Sequence, residues 1–194
     1  IVWKISVNAE GSTRSSAFTE FEKAARVMRQ YLQTHGIPEK EITMSSVDIS
    51  KRTKDFWDED SRKYVTLENG FGVSQTFTVS SNDLKRVEGV YQRISELYNR
   101  GMDFSSEKPL YYYTKLNDLK MEMLNQASAN AYERAQTIAK GSDSKVGAIV
   151  SSSMGVFQIV GLNSEEEYSW GGTFNTSSKE KVASITVRTT YKVK

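Results

Sequence analysis

A chain of 194 residues with 38% hydrophobic and 11% aromatic side chains and only two prolines has the composition of an ordered protein that buries a core, in one larger domain or two small ones. Its 26 basic and 24 acidic side chains leave a formal charge of +2, so no global field draws it to nucleic acid or an anionic membrane, and the lack of cysteine removes disulfides, thiolate metal sites and thiol nucleophiles. No apolar run approaches the roughly 18 to 20 residues of a membrane-spanning helix, and because the chain begins at Ile1 rather than Met we expect a leader or anchor to have been removed upstream.

Trp3, Ile5, Val7 and Ala9 alternate with Lys4, Ser6 and Asn8, which predicts a half-buried strand ending near Gly11. Ser15 or Ser16 then caps a helix whose Phe18, Phe21, Ala25, Met28, Tyr31, Leu32 and His35 recur at three- and four-residue steps. Gly36 stops it, Ile37 supplies the apolar contact expected beyond a glycine stop, and Pro38 keeps the helix from resuming. A second strand is expected over 42–53, with Val47 and Ile49 inward. The charged stretch 54–69 has no stable period and reads as a loop or hairpin tip.

The pattern repeats with a strand over 71–79 and a helix opened by Ser81 or Asn82, striped by Leu84, Val87, Val90, Tyr91, Ile94, Leu97 and Tyr98 and closed by Gly101. Another strand is expected around 110–113. Leu116, Leu119, Met123, Ala127, Ala131, Ala135 and Ile138 line one side of a long helix over 116–140, stopped by Gly141. Strands at 146–150 and 156–160 look like a pair turning at Met154-Gly155, and 163–178 is a polar excursion. In the closing strand Ala183, Ile185, Val187, Tyr191 and Val193 share one face.

The expected fold is therefore α+β: two-layer β-α-β units, with three main helices packed on antiparallel or mixed sheets. Two interleaved subdomains are expected, 1–63 joined to 116–194 and a smaller β-α-β lobe over 64–115.

Residues for chemistry are sparse. The single histidine, His35, sits in the last turn of the first helix, where a capping role suits it better than catalysis. Asp55, Asp58, Glu59 and Asp60 lack calcium-loop spacing, since Lys63 stands where glycine is needed and Asn69 where the bidentate glutamate is needed. They read as a solvated charge run, as do Glu165, Glu166 and Glu167, so no metal, cofactor or catalytic residue is assigned. Gly70-Phe71-Gly72 partly matches an RNA-recognition strand, but Asn69 replaces the leading basic residue and Val73 and Thr76 replace the aromatics. Asn175-Thr176-Ser177 is a glycosylation sequon.

Two loops carry large aromatics among charges, and Phe56, Trp57, Tyr168 and Trp170 are the expected contacts for a partner or a second copy. The competing reading folds these rings over the edge of their own core.

The chain resembles the SIMPL-domain family across nearly its whole length. The carriers are Gly36-Ile37 followed by Glu41-Ile42-Thr43, then Ala131, Arg134-Ala135, Ile138-Ala139, Gly141 and Val146-Gly147, and the closing Val182-Ala183-Ser184-Ile185-Thr186-Val187. The resemblance implies an α+β protein exported to the periplasm or cell envelope, self-associating, linked in some relatives to oxidative-stress tolerance, and with no established catalytic residues. The expected function is thus non-enzymatic, by self-assembly as a homo-oligomer or by binding an envelope partner, without nucleic acid. The alternatives are an RNA-recognition-like module and an enzyme whose site is assembled from distant carboxylates and hydroxyls.

Overall fold

The computed structural model describes residues 1–167 and 169–194. The fold class is α+β as expected, but the chain divides into two contiguous compact units, Ile1–Leu110 and Tyr111–Lys194. This differs from the expected interleaved division, which joined 1–63 to 116–194. The physical reason is one long strand: residues 63–80 begin in the charged hairpin and end hydrogen-bonded along the whole first strand, so a lobe starting at residue 64 has no seam to part along.

The first unit runs β1 (Val2–Gly11), α1 (Arg14–Thr34), β2 (Ile42–Met44), β3 (Asp48–Asp58), β4 (Lys63–Ser80), α2 (Leu84–Arg93) and β5 (Asp103–Ser106). Its five-stranded antiparallel sheet has the order β2-β4-β1-β5, with β3 also paired to β4. The alternation of β1 has its expected effect: Trp3, Ile5 and Val7 are fully buried on one face, facing the same way as Phe77 and Val79 of β4. Phe21, Met28 and Leu32 of α1 and Val87 and Val90 of α2 complete that core, and Trp3 meets Tyr91 edge-on at 5.7 Å.

Helix α1 starts two residues before the expected caps. Thr13 is the N-cap, accepting the Ser16 N–H at 3.1 Å while Ser16 Oγ accepts the Thr13 N–H at 3.0 Å. The expected stop at Gly36 is present as a left-handed residue with φ +88°, and the Ile37 N–H returns to the Leu32 carbonyl at 2.9 Å. Helix α2 is capped by Asp83 rather than by Ser81 or Asn82, and a 3-10 segment, Ile94–Arg100, carries it to Gly101.

The expected strand over 42–53 is two strands; Ile49 points to the core face, opposite the buried Val73, yet stays part-exposed because β3 is an edge strand, and Val47, between the two strands, is exposed. The strand expected at 110–113 lies at 103–106, where Phe104 pairs with Val7; Leu110 makes only a bridge to Val2.

The second unit holds α3 (Leu116–Lys140), β6 (Val146–Met154), β7 (Gln158–Gly161), β8 (Lys181–Ser184) and β9 (Val187–Val193). Helix α3 has the expected bounds, yet Gly141 has φ −66°, and the left-handed residue after the helix is Asp143. Strands β6 and β7 do not pair with each other as expected. β6 pairs with β9 and β7 with β8, so the closing segment is two strands that change sheets at Ile185 and Thr186. Phe157, Ile159 and Val160 are buried, whereas no described residue of α3 is.

Candidate functional site

The stretch 54–69 is not a loop. β3 and β4 continue as a ladder from Thr53↔Glu68 to Asp58↔Lys63, closed by a turn with Arg62 at φ +48°. β1 ends its pairing at Gly11↔Phe71, so over these six pairs the two strands have no third neighbour. They form a ribbon reaching about 20 Å past the sheet at roughly 3.4 Å per residue. The departure point is built from glycine. Gly70 has φ +85°, and a side chain there would collide with the Gly11 carbonyl. Nearby Arg52 pairs with Glu10, and Lys51 with Glu68, fastening the base of the ribbon.

The register fixes what each face of this arm presents. Phe56 stands opposite Val65, Lys54 opposite Leu67 and Asp58 opposite Lys63, so these six share one face. Trp57 stands opposite Tyr64 on the other, with ring centroids 5.3 Å apart. Phe56 is 40% exposed, Trp57 46% and Leu67 54%. The structure therefore places Phe56 and Trp57 together on one exposed element but on opposite faces. Neither is folded back over the core. Sequence reasoning missed Tyr64, Val65 and Leu67, for which the single two-residue step from Val65 to Leu67 is too short a pattern to mark a strand.

Of the remaining expected contacts, Trp170 is fully exposed in the second unit and Tyr168 lies outside the described residues. The Glu165, Glu166 and Glu167 run contributes a staple. Glu166 accepts from the Gly161 N–H at 2.9 Å and from Asn175 Nδ2, and the first of these does most to hold its carboxyl below the usual range. Lys181 Nζ donates to the Asn175 carbonyl at 2.7 Å, and burial lowers its own pKa. Asn175 is only 8% exposed with its amide nitrogen engaged, so the folded sequon does not present its acceptor.

His35 is a cap, as expected: its ring nitrogen Nδ1 lies 2.8 Å from the Tyr31 carbonyl, and the ring packs on Tyr31 at 4.1 Å. Asp55, Asp58, Glu59 and Asp60 lie along the arm and its turn, and among the described residues no three carboxylates or histidines are grouped to hold a metal ion. Phe71 lies under the Arg14 guanidinium at 5.3 Å, and Trp3 is buried with Nε1 bonded to Ser106, so neither ring is an open platform for a base. No described helix is long and apolar enough to cross a membrane.

A family model described as SIMPL, protein of unknown function (DUF541), matches residues 1–194. No curated protein matches the chain. One similar solved structure is the B. subtilis GlnK-ATP complex, at 16% identity, covering 55% of this chain and 82% of that one, with a TM-score of 0.31. A superposition that loose carries no argument about fold or ligand.

Proposed function

The chain belongs to the SIMPL family, whose function is unknown, and from that membership we propose that it works without catalysis, by self-association through the β3–β4 arm in the cell envelope. The observation that carries this reading is the exposed Phe56 and Leu67, with half-buried Val65 beside them, on one face of a ribbon with no third strand among the described residues. A two-stranded ribbon is marginal in water alone and gains from being covered. A second copy fits the face because antiparallel arms bring Asp58 near one arm's turn over Lys54 near the other's base, pairing opposite charges.

Covering Phe56 and Leu67 contributes about 1 to 2 kcal/mol each. One ribbon face is smaller than the roughly 800 Å² per partner of a tight complex, so a dimer of micromolar or weaker affinity is expected. The envelope location and the link to stress tolerance rest on the family resemblance alone. Sedimentation across micromolar concentrations tests the central claim. A mass rising with concentration in the native chain, and staying monomeric in Phe56→Ser with Leu67→Ser, is the expected result. A native chain that remains monomeric throughout overturns it.

A further inference from the structure

A second feature lies in the other unit. Met123, Gln126, Ala127, Asn130, Ala131 and Arg134 recur at three- and four-residue steps and form one face of α3. That face borders an open cleft of about 510 Å³ whose other wall is Ser184, Ile185, Thr186 and Val187, where the chain leaves the β7–β8 sheet and joins β6–β9. Ile185 and Thr186 belong to neither ladder, and the Thr186 carbonyl takes the Gly155 N–H at 2.8 Å. The volume is within the range of pockets that hold small ligands, about 300 to 1,000 Å³.

The lining is divided by chemistry. Ala127, Ala131, Met123, Ile185 and Val187 are apolar, with alanine side chains leaving a furrow along the helix. Among the described residues of the lining Arg134 is the only charged one; it is exposed and makes no hydrogen bond or ion pair with a described residue. Its helical neighbours explain why: three and four residues away stand Ala131, Asn130, Thr137 and Ile138, none of which is acidic. The side chains of Asn130, Ser184 and Thr186 are likewise without a described hydrogen-bond partner and add neutral donors to the lining.

We propose that this cleft binds an amphipathic monoanion, a carboxylate on a short aliphatic chain, with Arg134 taking the headgroup and the alanine furrow taking the tail. One guanidinium matches one carboxylate in charge and in its two-pronged geometry. An aliphatic tail lying along the furrow removes part of its apolar surface from water, a gain that a small hydrophilic anion lacks.

The test is calorimetric titration of the full chain with decanoate, decanol and acetate, each variant first checked for a native unfolding transition by circular dichroism. Decanoate is expected to bind at least about tenfold more tightly than decanol, which lacks the charge, or acetate, which lacks the tail. Arg134→Gln is expected to weaken decanoate by about tenfold while leaving decanol unchanged, and Ala131→Leu to abolish both by filling the furrow. Should Arg134→Gln not fold, Arg134→Lys carries the same test with a smaller loss, since it keeps the charge and removes the fork. No decanoate binding, equal affinity for decanoate in native and Arg134 variants, or binding that survives Ala131→Leu overturns the proposal.

Discussion

Gly70 lies against the Gly11 carbonyl where β4 parts from β1, and its φ of +85° holds it in the left-handed region. An alanine at this position carries about 1 to 2 kcal/mol of backbone strain and must also push Gly11 aside. Gly70→Ala is therefore expected to destabilise the first unit by about 2 kcal/mol or more. Gly72→Ala is the control, because there the new methyl meets the flexible Arg52 side chain at 3.5 Å in ordinary contact. Urea unfolding measures both, and equal losses would show that the close approach at Gly70 does not govern the junction.

The start of α1 supplies a second prediction. Thr13 satisfies a backbone donor that the first helical turn leaves open, and the reciprocal bond from Ser16 closes the box. Thr13→Ala is expected to cost about 1 kcal/mol, and Thr13→Asp to recover most of it, since aspartate can accept the same N–H. Thermal melts of the three proteins decide the matter. An alanine variant as stable as the native chain would mean the box is ornamental in this helix.

Glu166 predicts a pH dependence. Its carboxylate accepts from the Gly161 N–H and from Asn175, which lowers its pKa in the folded chain below the ordinary value of 4.5. A lowered folded pKa stabilises the folded state fully above the unfolded value, and that contribution is lost as pH falls through the folded value. Native protein is thus expected to be more stable than Glu166→Gln at pH 7, with the difference closing below pH ~4. Melting temperatures of both proteins from neutral to acid pH give the comparison, and a gap that stays constant with pH would assign the effect to something other than this ionisation.

Particular residues show why parts of this structure were readable from the sequence and others were not. The bounds of α3 and the Gly36-Ile37 stop were readable because they depend on neighbours within four or five positions. The sheet-changing break at Ile185 was not, because the alternation from Ala183 to Val193 continues straight through it and only the distant pairings with Gln158 and Met154 reveal two ladders. The arm was hidden by composition. Nine of the thirteen residues along 51–63 are charged and they fall on both faces, which masks the period of two, and Val65 and Leu67 gain meaning only once Phe56 is known to stand opposite Val65. The cleft was hidden for the opposite reason: Ala127 and Ala131 fall on the stripe expected to pack on a sheet, and their openness depends on a wall more than fifty residues away in the chain.

The two faces of the arm allow the docking surface to be separated from the ribbon's own stability. Trp57 and Tyr64 meet edge-on across the ladder, a contact that contributes about 0.5 to 1.5 kcal/mol and needs no second molecule. Phe56 and Leu67, on the opposite face, have no comparable ring contact within the arm, so their removal is expected to leave monomer stability nearly unchanged. Trp57→Ala is then expected to loosen the arm, seen as faster amide exchange over 53–68, with a small effect on association. Phe56→Ser is expected to weaken association by about tenfold, the loss of one buried ring edge, with amide exchange unchanged in dilute protein. If the dependence is reversed, so that association follows Trp57 and ignores Phe56, the copies meet through the aromatic pair and the charge pairing of Asp58 with Lys54 has no part in it.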